Sequence, residues 1–167
     1  LSKEVQKLNN GVRVDCKLNR INFGEVGRFQ TDQYKLNPDG ERVLGQVVPT
    51  ILDAANTPLG QKWLKQVVIE GFTDTDGSYL YNLNLSLKRS EWVMCSLLRN
   101  DKPTTISLNP EQRRQVKKLF LAGGVSFNSI QNSKDASRRV ELRLQFYGLD
   151  QQQVPRPEYE SKFEDQA

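Results

Sequence analysis

The amino-acid sequence predicts an α+β domain with a single mixed sheet and helices packed mainly on one face. Residues 12–18 and 139–147 alternate apolar and polar side chains, as half-buried strands do, and residues 66–72 contain a short apolar run. Segments with helical spacing separate these stretches. Because strands separated by helices need crossover connections, at least some neighbouring strands should be parallel.

The first strand is predicted over residues 12–18, where every second side chain is apolar. Its inward-facing side chains would be Val12, Val14, Cys16 and Leu18. Residues 21–33 mix glycines with aromatic side chains and have no clear period, so we interpret them as a loop.

The first helix is predicted to begin at Asn37 and Pro38, because asparagine caps a helix and proline fits the first turn. It should run to Leu52, with a kink at Pro49 where a backbone donor is missing. Residues 56–60 contain a proline and a glycine, and they should break it.

The second helix is predicted over residues 79–99, after a turn at residues 73–78. At about 100° per residue, one side collects an apolar stripe that should contact the sheet: Leu83, Leu87, Ser90, Met94 and Leu97. A separate strip of mixed polarity contains Tyr81, Asn82, Leu85 and Arg89. Such a strip beside a turn carboxylate can line a small-molecule pocket.

A third helix is predicted to begin at Asn109 and to reach Ala122, where two glycines end it. Residues 125–127 suggest a short strand. The closing strand, residues 139–147, would turn one set of side chains inward: Val140, Leu142, Leu144 and Phe146. The outward set would be Arg139, Glu141, Arg143 and Gln145.

The composition argues against catalysis. The chain has 167 residues, a net charge of +4 and no histidine, which removes the usual general base and the commonest metal ligand. The sequence contains no Gly-x-Ser-x-Gly motif and no P-loop. We therefore expect no enzyme activity, no metal and no other cofactor. The basic residues at 113–118 fit a solvated helix face, so no nucleic-acid partner is expected.

The two cysteines, Cys16 and Cys95, leave two alternatives open. In an oxidising compartment they could form a disulfide, whereas in a cytosol they would be two small buried apolar side chains.

Asp74 follows the central strand, at the end where ligands of alternating α/β sheets commonly bind. Its carboxylate accepts hydrogen bonds, whereas Arg89 offers a planar fork of donors. If the two lie close together, they could hold the ammonium and carboxylate of an amino-acid-like zwitterion. The alternative is a salt bridge between Asp74 and Arg89 that only fixes the turn. We interpret Asp76 as turn chemistry.

Residues 69–90 resemble the signature of the OmpA-like domain family. The matching elements are Gly71-Phe72-Thr73-Asp74, Gly77, Tyr81-Asn82, Leu85-Ser86 and Arg89-Ser90. The sequence Arg138-Arg139-Val140-Glu141 is similar to the family's closing strand, and the similarity covers residues 12–147. The chain departs from the pattern at Phe72, where the family has histidine, and over residues 102–137.

This resemblance implies a βαβαβ core and non-covalent binding of peptidoglycan, with Asp74 and Arg89 clamping the diaminopimelate of the stem peptide. The other ligand-binding residues that it implies are Tyr81, Asn82, Leu85 and Arg138. It also implies a periplasmic domain of a membrane-anchored protein in a Gram-negative bacterium. Related proteins include porins, lipoproteins and the B subunits of stators and stator-like complexes, among them a complex that defends against phages.

Three segments are expected along the chain. Residues 1–11 form a leading segment after an anchor outside this sequence, and residues 12–149 form the domain. Residues 150–167 form a tail rich in proline and glutamine, with five acidic and two basic residues. Expected partners are peptidoglycan, a membrane-embedded subunit reached through the upstream region, and a second copy of the chain. The alternative function is a protein-interaction or dimerisation module that does not bind the wall.

Overall fold

The computed structural model describes residues 1–8, 11–99, 106–124 and 133–148. The helices are α1 (Ser2–Leu8), α2 (Pro38–Ala55), α3 (Pro58–Trp63), α4 (Tyr79–Leu98), α5 (Pro110–Leu119) and α6 (Lys134–Ser137). The strands are β1 (Arg13–Asp15), β2 (Arg20–Asn22), β3 (Leu64–Gly71), β4 (Phe120–Gly124) and β5 (Val140–Phe146). A short 3-10 helix covers Gly24–Gly27. Across these ranges, no helix combines the length and apolarity that a membrane span requires.

The strands form one mixed sheet in the order β1-β2-β5-β3-β4. β3 and β4 are parallel, whereas β1–β2, β2–β5 and β5–β3 are antiparallel. The last strand of the chain therefore lies in the middle of the sheet. This arrangement confirms the predicted fold class.

The two faces of the sheet differ in chemistry. Val67 and Ile69 of β3 lie in a core that includes Val47 and Ile51 of α2. Because side chains alternate along a strand, Glu70 lies on the opposite face. There the Glu70 carboxylate pairs with Arg20 of β2 and with Arg143 of β5. The helices thus cover the apolar face, and an ionic network occupies much of the other.

The first strand is shorter than predicted. β1 ends at Asp15, whose carboxylate accepts hydrogen bonds from the backbone N–H groups of Lys17 and Leu18 at 2.9 and 3.0 Å. This turn exposes Cys16 and leaves Leu18 61% exposed, so the prediction that both face inward was wrong. The chain then returns as β2, which overlaps the start of the segment interpreted as a loop.

The first helix begins as predicted, since the Asn37 side chain accepts from the N–H of Gly40 at 2.8 Å. Pro49 lies inside α2. The predicted break after this helix is brief, because Thr57 caps a new helix, α3, at Pro58.

The third helix ends earlier than predicted. Residues 120–124 form β4, parallel to β3, and Gly123 and Gly124 belong to this strand instead of ending a helix. The suggested strand at residues 125–127 and the tail at residues 150–167 lie outside the described residues.

Both faces of β5 are covered near its start. Arg139 and Glu141 are 4% and 5% exposed, although the alternation predicted them to face outward to solvent. Arg139 Nε donates to Glu141 Oε1 at 2.8 Å, and this pairing allows both charges to be buried. Phe146, predicted to face inward, is 44% exposed at the other end of the strand.

Helix α1 contributes Val5, which is fully buried in the same core. This residue belongs to the segment expected to precede the domain. The domain boundaries given above remain predictions.

Candidate ligand-binding site

The turn between β3 and α4 is fixed by its own hydrogen bonds. Asp74 Oδ1 accepts from the N–H of Asp76 at 2.9 Å, and Asn82 Nδ2 donates to the carbonyl oxygen of Asp76 at 2.9 Å. Gly77 has a φ of +94°, which other residues adopt only with strain. The Ser78 side chain caps α4. The Asp74 carboxylate is therefore held rigidly at the end of a buried strand.

Helix α4 lies unusually close to the sheet beneath this turn. A Cβ atom on Gly71 would overlap the carbonyl oxygen of Ser86, and one on Gly124 would overlap the Ser86 hydroxyl. The buried face of α4 mixes small, polar and apolar residues: Asn82, Leu85, Ser86, Arg89, Ser90, Val93, Ser96 and Leu97. Of the predicted apolar stripe, Ser90 and Leu97 are buried and Met94 packs against the core, whereas Ser86, which lies outside the stripe, makes the closest contact with the strands. Leu87 of that stripe is 45% exposed.

Arg89 is completely buried and bonds to backbone oxygens from two segments. Its Nη1 donates to the Phe72 carbonyl at 2.7 Å, its Nε to Gln33 at 2.8 Å and its Nη2 to Gln30 at 3.4 Å. Burial lowers the pKa of Arg89 to about 10, although the nearby Asp74 carboxylate opposes this change. The guanidinium therefore stays charged at neutral pH.

Asp74 pairs with Arg138 instead of Arg89. Arg138 Nη1 lies 2.9 Å from Asp74 Oδ2, and Arg138 Nε donates to the Phe29 carbonyl at 3.0 Å. Burial acts to raise the pKa of Asp74, but the bonds from Arg138 and from the N–H of Asp76 outweigh it and lower the pKa. The alternative of a salt bridge between Asp74 and Arg89 was therefore wrong, because Asp74 forms its salt bridge with Arg138.

Helix α6 provides a second ion pair to the same turn. Lys134 Nζ contacts both carboxylate oxygens of Asp76, at 2.8 and 3.0 Å. This hydrogen bond and the Asp76 charge raise the pKa of Lys134. Sequence reasoning missed Lys134 because it belongs to residues 102–137, where no motif could be aligned. Asp76 therefore pairs with Lys134, in addition to the role in the turn that was predicted for it.

The remaining predicted site residues lie at the start of α4. The Tyr81 hydroxyl donates to Asp32 Oδ1 at 2.7 Å, which raises the pKa of Tyr81, and its side chain is half-exposed. Asn82 is buried beneath the turn, and Leu85 is buried on the same face of the helix. Asp32, at a φ of +59°, was not predicted as a site residue.

Phe72, where the family has histidine, is almost fully buried below the turn. The Arg139 guanidinium lies 4.0 Å from its ring centroid and that of Arg20 lies 5.6 Å away. Its backbone carbonyl accepts from Arg89. The ring thus packs under the ionic face of the sheet while its backbone supports the site.

Cys16 and Cys95 are free and exposed. Cys16 follows β1 and contacts the hydroxyl of Ser2 at 3.7 Å, whereas Cys95 lies on α4. The disulfide considered from the sequence is not formed in this structure.

Comparison with solved structures shows which known domains share this fold. The cell wall anchor of the T6SS from Pseudomonas aeruginosa has a TM-score of 0.53 at 17% identity, over 88% of this chain and 100% of that chain. The periplasmic domain of Helicobacter pylori MotB has a TM-score of 0.51 at 16% identity, over 78% of both chains. No family model matches the sequence. The fold is that of an OmpA-like domain, as the motif predicted.

A comparison of sequences gives a more particular relationship. Zorya protein ZorB of Escherichia coli O139:H28 (strain E24377A / ETEC) is 59% identical over 149 residues. The aligned region covers 89% of this chain and 61% of ZorB, so the chain spans about three fifths of that relative. The chain thus has the fold of OmpA-like domains and is similar in sequence to ZorB.

Proposed function

We propose that this domain binds the stem peptide of peptidoglycan without reacting with it and thereby anchors a membrane protein, or a stator-like complex, to the cell wall. The proposal depends chiefly on one observation, the contact between the nearly buried Asp74 carboxylate and the Arg138 guanidinium at the end of β3. It also rests on the resemblance of the turn to OmpA-like domains that bind diaminopimelate.

The Asp74–Arg138 pair can exchange partners with a zwitterion. A ligand ammonium group replaces Arg138 as the partner of Asp74, and the ligand carboxylate takes the released Arg138 donors. Because each protein charge gains a new partner as it loses the old one, no unpaired charge is left buried. This exchange favours a ligand centre with both charges, such as that of diaminopimelate, over a simple amine or acid.

Arg89 supports this exchange through its charge and its bonds. It holds the Gln30 and Gln33 carbonyls against the Phe72 carbonyl, so it fixes the loop beside the turn. Its positive charge close to Asp74 also adds to the field that attracts a ligand carboxylate. Tyr81, at the exposed edge of the turn, completes the binding surface.

The relatives support a structural task in the periplasm. One solved neighbour is named as a cell wall anchor and another as a periplasmic domain of MotB. By analogy we place this domain in the periplasm, in a membrane-anchored protein of a stator-like complex. The similarity to ZorB extends the proposal to anti-phage defence. A membrane-embedded subunit and a second copy of the chain are the proposed protein partners.

The test is sedimentation with purified peptidoglycan sacculi. Asp74→Ala and Arg138→Ala should each reduce the bound fraction at least tenfold, because loss of one partner in a buried charged contact costs about 2–5 kcal/mol of binding. Arg89→Ala should abolish binding as well. The matched control is Arg114→Ala, which removes an arginine from an exposed ion pair on α5.

Thermal unfolding of each variant checks that the fold survives. If folded Asp74→Ala and Arg138→Ala sediment as the parent does, the site assignment is wrong. If the parent itself does not sediment, wall binding is wrong, and the interaction-module alternative replaces it.

A further inference from the structure

A cluster of aromatic and basic side chains lies along α4 and in the segment before α2, beyond the candidate site. We call it the aromatic–basic surface, and its members are Tyr34, Lys35, Lys88, Trp92 and Arg99. It borders a cavity of about 230 Å³, which is lined by Tyr34, Lys88, Glu91, Trp92, Cys95 and Arg99.

The two rings organise the cations. Tyr34 and Trp92 meet edge to face, with centroids 6.2 Å apart and an interplanar angle of 70°. Lys35 Nζ lies 5.4 Å and the Arg99 guanidinium 5.1 Å from the Trp92 centroid. Lys88 Nζ lies 5.9 Å from the Tyr34 centroid. Cation–π contacts of this kind hold the basic groups near the rings without neutralising them.

The surface has an excess of positive charge that the described residues do not neutralise. Within residues 1–8, 11–99, 106–124 and 133–148, Lys35, Lys88 and Arg99 form no salt bridge. Glu91 is the acidic side chain in the cavity lining. Cations lie over the faces of the Tyr34 and Trp92 rings, where a sugar ring would otherwise stack. The surface therefore suits an anionic ligand better than a neutral sugar.

The aromatic–basic surface adjoins the candidate site along the chain. Tyr34 follows Gln33, whose carbonyl oxygen accepts from Arg89 Nε at 2.8 Å. Lys88 precedes Arg89 on α4. From Lys88 to Arg99 the helix advances about 17 Å, at 1.5 Å per residue. A polymer held at Asp74 can therefore extend across this surface.

We propose that the aromatic–basic surface is a second contact site for the same wall polymer and takes free carboxylates of the peptide next to the zwitterion held at Asp74. This inference rests on the proposed function. It explains why the cations have no acidic partners within the described residues, because the polymer supplies the carboxylates. The second contact adds avidity for the polymer and leaves the affinity for an isolated zwitterion unchanged.

The test compares a small ligand with the polymer. The variant is Lys88→Glu combined with Arg99→Glu, and the control is Lys3→Glu combined with Lys117→Glu, which makes the same charge change on α1 and α5. Free diaminopimelate should bind both variants as it binds the parent. Retention on sacculi should fall about tenfold in the Lys88/Arg99 variant alone, and its dependence on salt should weaken.

The outcomes separate the two proposals. If the Lys88/Arg99 variant is retained on sacculi like its control, the second contact is wrong, although the Asp74 site stands. If the parent binds neither diaminopimelate nor sacculi, the proposed function itself fails. If the surface instead binds vesicles containing phosphatidylglycerol, and sacculus retention does not change, its partner is an anionic lipid and the inference is overturned.

Discussion

At the scale of single residues, the pair between Asp74 and Arg138 sets both the ligand chemistry and the acid response of the site. The lowered pKa of Asp74 means that the folded state favours its charged form. The carboxylate then stabilises the fold fully above its unfolded pKa of about 3.8. This contribution is lost as the pH falls through the lower folded pKa.

We therefore predict that Asp74→Asn lowers the free energy of unfolding by about 2 kcal/mol at neutral pH, through loss of a charged hydrogen bond. The difference from the parent should shrink as the pH falls below 4 and vanish once Asp74 is protonated. Urea unfolding at neutral and acidic pH measures it. Asp53→Asn, on the exposed side of α2, is the control, and an equal loss at every pH would refute the prediction.

Several site residues could be predicted because they follow fixed spacing after a strand. The turn motif led to Asp74, Asn82 and Arg89, and the structure brings them to one place. The turn motif could not show that Arg138 pairs with Asp74, because this ion pair depends on where α6 and the residue after it lie against the turn. Lys134 carries no such motif, so its contact with Asp76 was unpredictable.

At the scale of secondary-structure elements, small residues determine how α4 meets the sheet. The helical wheel places Leu87 against the sheet, but Leu87 is exposed and Ser86 makes the close contact instead. Backbone atoms approach there because Gly71 and Gly124 lack side chains. The helix and strand boundaries on either side followed from capping and apolar runs. The position of β4 did not follow from these signals, because two consecutive glycines more often end a helix than lie in a strand that packs against one.

The close approach gives a matched pair of predictions on one strand. Gly124→Ala should destabilise the domain by about 1–3 kcal/mol, because its Cβ would overlap Ser86 and Leu87. Gly123→Ala should change stability much less, since its Cβ would lie 3.6 Å from Val68, an ordinary contact. Chemical denaturation of both variants measures the difference. Equal losses of stability in the two variants would mean that the packing of α4 against β4 does not limit the size of residue 124.

At the scale of the whole molecule, the ionic face of the sheet links strands that are distant in sequence. Glu141 accepts from Arg20 at 3.2 Å, Asn22 at 3.0 Å and Arg139 at 2.8 Å. The alternating sequence of β5 indicated an outward polar set. It could not indicate burial, because the partners come from β2, which was interpreted as a loop.

We predict that Glu141→Ala destabilises the domain by about 3 kcal/mol or more, since it removes the carboxylate that pairs with the buried Arg139 guanidinium. Glu111→Ala, which breaks an exposed pair with Arg114, should cost less than about 1 kcal/mol. Unfolding in urea compares the two variants. A similar loss of stability in both variants would show that the ionic network around Glu141 adds little to the free energy of unfolding.

The central place of β5 also bears on the order in which the protein can mature. Within the sheet, the hairpin of β1 and β2 and the parallel pair of β3 and β4 are joined by backbone hydrogen bonds to β5 and not to each other. While the polypeptide is still emerging during synthesis, these two pairs of strands cannot yet be joined into one sheet. Assembly of the sheet must therefore wait for the final strand, and a product truncated before residue 140 would lack the strand between β2 and β3 and would leave open edges exposed to proteases and to aggregation.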